Sequence, residues 1–172
     1  MNLSFSPETS KANLFDQIAA ELASHDLKIA NQDQTRPWGG FFVIDEAQTA
    51  HFVSTYFPTI QMEDLKGFAK LSPKILVVGP EKRLSWQYHH RRAEIWRVVA
   101  GTVAVMTSPT DEEGEVRKYE PGELITLTKG ERHRLIGLGN WGVVAEIWQH
   151  TDPENPSDED DIVRVQDDFQ RK

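Results

Sequence analysis

From residue 74 to 150 the apolar positions come in short bursts separated by turn-forming residues. The bursts fall at 75–78, 84–88, 94–100, 102–108, 117–119, 124–128, 133–136 and 143–149. Each is of strand length, and the joints hold Gly79-Pro80, Gly101, Pro121-Gly122, Gly130 and Asn140. No helical period intervenes, and such even spacing predicts an antiparallel sandwich or barrel. Residues 40–45 predict an earlier strand, and Ile162, Val163 and Val165 predict that the tail returns as an edge strand. Ahead of these, Ser6-Pro7-Glu8 has the form of a helix start, with Ser as N-cap and Pro at the first helical position. Leu14, Phe15, Ile18 and Leu22 then share one helical face, which predicts packing against the sheet. Between 47 and 67, Phe52, Tyr56, Phe57, Ile60 and Leu65 recur at mixed spacing broken by Pro58. A partly helical insertion over 48–71 follows, with packing favoured over a lid.

Composition narrows the class. A chain of 172 residues has the length of one domain with a sizeable core. The division is an N-terminal helical segment (1–30), a core barrel (72–150) and an acidic C-terminal segment (152–172). There is no Cys, which removes disulfides and thiolate chemistry. The formal charge of −8 argues against general nucleic-acid binding, which needs a basic surface. No apolar run approaches the ~18 residues of a membrane span, and the polar start MNLSFSPETS lacks a signal peptide's apolar centre. The expectation is a cytoplasmic protein that contacts neither membrane nor nucleic acid.

The candidate chemistry lies in LSWQYHHRRAEIW, residues 84–96. In a strand, residues two apart share a face, so Gln87 and His89 project together, and Glu94 returns beside them after a tight reversal. His133 follows a second glycine-bracketed strand, GELITLTKGERH. Gln87, His89, Glu94 and His133 would bring two imidazoles, an amide oxygen and a carboxylate to one divalent ion. Zn(II) is the first expectation; Mn, Fe, Co and Ni accept the same donors.

These two segments resemble the two motifs of the cupin superfamily. The first ends in Glu94, with six residues before Gly101, and the second runs from Gly122 through Gly130 to His133. The opening Gly of the first motif is Glu81 here, its first His is Gln87, and the Pro of the second is Thr128. A narrower resemblance, to type II phosphomannose isomerases, rests on Arg36-Pro37-Trp38-Gly39, Lys74, Leu84-Ser85, Gln87, His89-His90, Arg92, Glu94, Trp96, His133-Arg134-Leu135 and residues 159–164, EDDIVR. Departures include Arg91 where a third consecutive His is usual and Ile75 where an Arg is common.

The resemblance implies an all-β cupin double-stranded β-helix, a jelly-roll barrel, with the N-terminal helix and the insertion added. It implies interconversion of mannose 6-phosphate and fructose 6-phosphate through a cis-enediolate. A base with pKa near neutrality is then required, and Lys74, on the strand before the first motif, is the first candidate, with His90 second. Arg134 adjoins His133 and so faces either outward or, through local twist, the substrate at the rim; Arg92 and Arg132 are expected at the surface. The Trp residues are expected mainly in the core, and Arg36 to Gly39 is expected to brace the barrel mouth. A sugar-phosphate partner and a homodimer complete the expectation. The alternatives are a non-catalytic sugar-binding or regulatory cupin and, third, a metal-dependent oxygenase.

Overall fold

The computed structural model describes residues 1–171. Eleven strands form two antiparallel sheets, and the strand register explains why one end of the space between them is polar. In chain order the elements are α1 (Lys11–Ser24), β1 (Ile29–Asp33), β2 (Gly39–Ile44), α2 (Thr49–Tyr56), β3 (Lys74–Val78), β4 (Trp86–Tyr88) and β5 (Arg92–Ala100). They continue with β6 (Val103–Ser108), β7 (Val116–Tyr119), β8 (Leu124–Leu127), β9 (Arg132–Gly137), β10 (Gly142–His150) and β11 (Val163–Gln166). One sheet runs β1-β2-β3-β10-β5-β8 and the other β11-β4-β9-β6-β7. Of the sandwich or barrel that strand spacing predicts, this is the all-β jelly-roll barrel that the cupin resemblance implies.

The six-stranded sheet is covered on both faces. On its back, Ile75, Val77, Val143, Ala145 and Ile147 pack against Leu14, Phe15, Ile18 and Leu22 of α1 and Phe52 and Val53 of α2. On its front, Leu76, Val78, Trp96, Val98 and Val144 meet Val103, Val105 and Leu135 of the other sheet. Burial on both faces accounts for the almost unbroken apolar runs of β3 and β10. Residues 48–71, read from the sequence as an insertion, are an integral packed part of the domain: Phe52 and Phe57 are fully buried, each stabilising the fold by about 1.5–3 kcal/mol. None of these residues lines the cavity at the polar end of the barrel.

Inward positions change character along each strand. On β5 burial alternates through Arg92, Glu94, Trp96 and Val98. The facing strand β10 contributes Val144, Glu146 and Trp148, and β3 contributes Val78, Leu76 and Lys74, with Glu146 paired to both Lys74 and Trp96. One end of the barrel is therefore closed by Val, Leu and Ile, and the other carries Lys74, Arg92, Glu94 and Glu146.

Two local readings are corrected. Helix α1 begins four residues beyond the predicted start: Ser10 is the cap, its side chain accepting from the Asn13 amide, while Ser6 turns back through a Thr9 N–H bond to its carbonyl. Strand β1, IANQD, was not foreseen, because as an edge strand it has no apolar alternation to mark it. Glu81, which stands where the first cupin motif opens with Gly, holds φ +55°, the left-handed conformation that Gly adopts without a Cβ penalty. The tail strand β11 forms as expected and pairs with β4.

Candidate functional site

His89, Glu94 and His133 converge inside the polar end of the barrel, with one potential ligand atom from each within 4.8 Å of the others. Glu94 arrives on the inward face of β5, and His133 lies on β9 directly across from Gln87 of β4. All three converging side chains are about 2% exposed. His89 Nδ1 lies 2.6 Å from the Asp161 carbonyl and His133 Nδ1 lies 3.0 Å from the Glu131 carbonyl. A carbonyl only accepts, so each Nδ1 carries a hydrogen and each Nε2 is turned inward towards Glu94, the orientation of metal-ligating histidines.

The charges agree with that role. Burial drives the His133 pKa down to about 4, against the attraction of Glu94, so the ring is neutral at pH 7. Burial also opposes charge on Glu94, but His89, Arg92 and His133 outweigh it and hold the carboxyl well below the usual range. Glu94 Oε2 and His133 Nε2 face each other at 3.4 Å, both acceptors and both without a hydrogen-bond partner among the described residues. Two buried lone pairs pointed at one another are relieved by a shared cation. The residues thus fit a divalent ion, with Gln87 beside them on the cavity wall.

Arg92 is corrected from a surface residue to a buried one, 3% exposed. Its Nε donates to Glu94 Oε1 at 2.7 Å, its Nη2 lies 3.1 Å from His89 Nε2, and its guanidinium stacks 3.6 Å above the Trp148 ring. A cation therefore already rests against the other carboxylate oxygen and against His89 Nε2, so a divalent ion here would share both atoms with Arg92 or displace it.

The cluster opens into a cavity of about 290 Å³ whose walls include Gln87, Glu94, Lys74, Glu146 and the indoles of Trp38, Trp96 and Trp148. Its size lies at the small end for ligand pockets, as suits a metabolite. Lys74 reaches it as foreseen, in an ion pair with Glu159 and 3.7 Å from the Trp148 ring centre. Two other candidates do not reach it. Arg134 is fully buried on the opposite face of β9, where it binds Glu113 of the acidic loop and Gln166 of β11, because neighbours of an inward His133 must point outward. His90 is exposed and packs edge-on against Tyr88. Arg36 and Trp38, expected only to brace the mouth, line the cavity.

Glu146 was missed. It is 4% exposed, and Trp96 Nε1 donates to its Oε1 at 2.9 Å. Burial, then repulsion from Glu94, pushes its pKa up to about 8 in spite of Lys74 and Arg92. The signal in the sequence was a lone carboxylate inside the apolar run Val144-Ala145-Glu146-Ile147-Trp148. The consequence for stability has a definite sign. Between an unfolded value of about 4.3 and the folded value of about 8, the native state binds more protons than the unfolded chain, so stability falls as pH rises across that window. Metal-stripped Glu146→Gln should therefore melt several degrees above wild type at pH 8 and gain least near pH 5. Parallel melting curves at both pH values would show that Glu146 does not titrate in this window.

The fold and this His/Glu cluster define a cupin. The Mannose-6-phosphate isomerase C-terminal family model matches residues 48–167, and the chain belongs to that family. Mannose-1-phosphate guanylyltransferase ManC of Salmonella typhimurium is 31% identical over 137 residues, covering 79% of this chain and 22% of that protein. Mannose-1-phosphate guanylyltransferase of Escherichia coli is 28% identical over 157 residues, covering 91% and 26%. The chain thus spans about a quarter of the length of the curated relatives it matches. Among solved structures, vicilin of Solanum lycopersicum superposes with a TM-score of 0.53 at 17% identity, over 77% of this chain and 35% of that one, a likeness of fold. No helix is long and apolar enough to cross a membrane among the described residues.

Proposed function

We propose that the chain is a metal-dependent sugar-phosphate isomerase that interconverts mannose 6-phosphate and fructose 6-phosphate through a cis-enediolate. The observation that carries this is the pairing of Lys74 with Glu146 across neighbouring strands on the wall of the cavity into which Glu94 opens. An aldose–ketose isomerase must move a proton between two adjacent carbons and adjust protons on their oxygens. Side chains directly opposite on paired strands have Cβ atoms about 4.5–5.5 Å apart, a separation that lets two groups serve neighbouring atoms of one substrate. Glu146, with a pKa near the working pH, suits proton exchange, and Lys74 suits the same task or the holding of negative charge on oxygen. A divalent ion held by Gln87, His89, Glu94 and His133 would supply Lewis-acid stabilisation of that charge; zinc heads the candidates. The indole N–H groups of Trp38 and Trp148 are buried in the cavity wall without hydrogen-bond partners among the described residues, which suits hydroxyl groups of a sugar.

The test is incubation of the metal-loaded chain with mannose 6-phosphate in heavy water. Fructose 6-phosphate should form, with deuterium entering at C1 or C2 because a proton that visits a side chain exchanges with solvent. Absence of interconversion across hexose and heptose phosphates would overturn the isomerase and favour a second reading, a sugar-binding cupin. That reading draws on Arg92, whose guanidinium holds Glu94 and His89 as an internal cation.

A further inference from the structure

Five cationic side chains, Arg36, Lys74, Arg92, Arg164 and Arg171, line a single cavity of about 290 Å³ in a chain of net charge −8. Two are committed inside it: Lys74 to Glu159 and the Trp148 ring, Arg92 to Glu94 and His89. The other three come from distant parts of the sequence, Arg36 from the segment between β1 and β2, Arg164 from β11 and Arg171 from the tail. Arg36 is more exposed than the deep carboxylates, at 38% of its side chain against 3% for Glu94, which places it at the rim. Burial weighs most against the charge of Arg164; repulsion from Arg171 and Arg36 adds to it and Asp167 and Glu159 offset part of it, so the three guanidiniums stand close enough to feel one another beside two carboxylates.

We propose that Arg36, Arg164 and Arg171 form a phosphate-binding subsite at the cavity rim, one that orients a phosphorylated ligand with its polyol end towards Glu94 and Glu146. A guanidinium has five N–H donors. Asp167 occupies Nε and Nη2 of Arg171, and Asp33 lies 2.8 Å from Nε of Arg36, so each fork keeps further N–H groups for an anion. A dianion among three like charges converts their repulsion into charge-assisted hydrogen bonds, and Arg forks suit phosphate oxygens bidentately. Deeper in, the Arg92 and Lys74 charges are already met by Glu94 and Glu159, and Glu146 holds its proton at neutral pH, so the inner wall offers an anion no comparable set of N–H groups. Polarity along the cavity therefore fixes which end of the ligand enters. The subsite rests on the sugar-phosphate reading only for what lies at the ligand's other end.

The test titrates inorganic phosphate into the metal-stripped full chain, followed by phosphorus NMR or calorimetry, so that neither turnover nor a bound ion enters the readout. Wild type should bind saturably, and Arg36→Gln and Arg171→Gln should each weaken binding at least about tenfold, the scale of one charge-assisted hydrogen bond. Arg117→Gln removes the same charge on β7, at the opposite edge of the sheet from β11, and should leave binding unchanged. Should Arg164→Gln fail to fold, the two rim variants still decide the matter. No saturable binding by wild type, no loss in the rim variants, or an equal loss in Arg117→Gln would overturn the subsite. Phosphate binding that survives in a chain without isomerase activity would uphold the subsite while the isomerase reading fell.

Discussion

Glu94→Ala should cost the metal-free fold about 3–5 kcal/mol, whereas His133→Ala should cost clearly less, although both should strip divalent metal from the loaded protein. The difference follows from Arg92. Glu94 accepts from Arg92 Nε at 2.7 Å with both side chains about 97% buried, so its removal strands a guanidinium away from water. His133 leaves behind no charge, only the space of a neutral ring that meets Trp96 edge-on at 5.5 Å. Metal affinity should fall in both, by more than the 10–100-fold that loss of a mere supporting hydrogen bond produces. Denaturant unfolding of chelator-treated proteins measures the first effect, and metal content after dialysis measures the second. Equal destabilisation would mean that Arg92 finds another partner; unchanged metal content in folded His133→Ala would remove the site.

What the sequence revealed and what it hid both follow from where the apolar pattern has meaning. The converging cluster was legible because Gln87 and His89 keep the two-residue period of a strand, Glu94 follows within one tight reversal, and Gly130 marks the turn before His133. The barrel was legible in β3 and β10, whose apolar runs need cover on both faces. Strand β1 was hidden because Asn31, Gln32 and Asp33 lie at an exposed edge, where pairing is made by the backbone alone. Glu146 stood out as a lone carboxylate in an apolar run, but in a strand buried on both faces the pattern does not say whether it enters the barrel or the layer under the helices. Arg92 was misplaced and Arg134 was left open between two faces because burial of an Arg depends on partners remote in sequence, Glu94 with Ser157 for one and Glu113 with Gln166 for the other. The rim cluster of Arg36, Arg164 and Arg171 spans 135 positions of the chain and forms only when β11 pairs with β4.

Lys74→Met and Glu146→Gln should each cut turnover at least ~100-fold, the usual scale for a positioned acid–base group, while metal content and phosphate binding stay near wild type. Neither residue is among the four proposed donors, and neither belongs to the proposed rim cluster, so an effect confined to turnover would separate proton transfer from binding. Methionine keeps the length of Lys74 against Trp148, and glutamine keeps an oxygen for the Trp96 N–H, so both changes remove charge with little change of shape. The two variants differ in what they should do to exchange. If Glu146 carries the carbon-bound proton, Glu146→Gln should abolish deuterium incorporation from heavy water, while Lys74→Met should slow conversion and exchange together, because loss of a group that only holds charge on oxygen raises the barrier to both. If Lys74→Met alone abolishes exchange, the proton passes through Lys74 and Glu146 serves the oxygens. Full activity in both variants would remove the facing pair from the chemistry and with it the observation on which the isomerase rests.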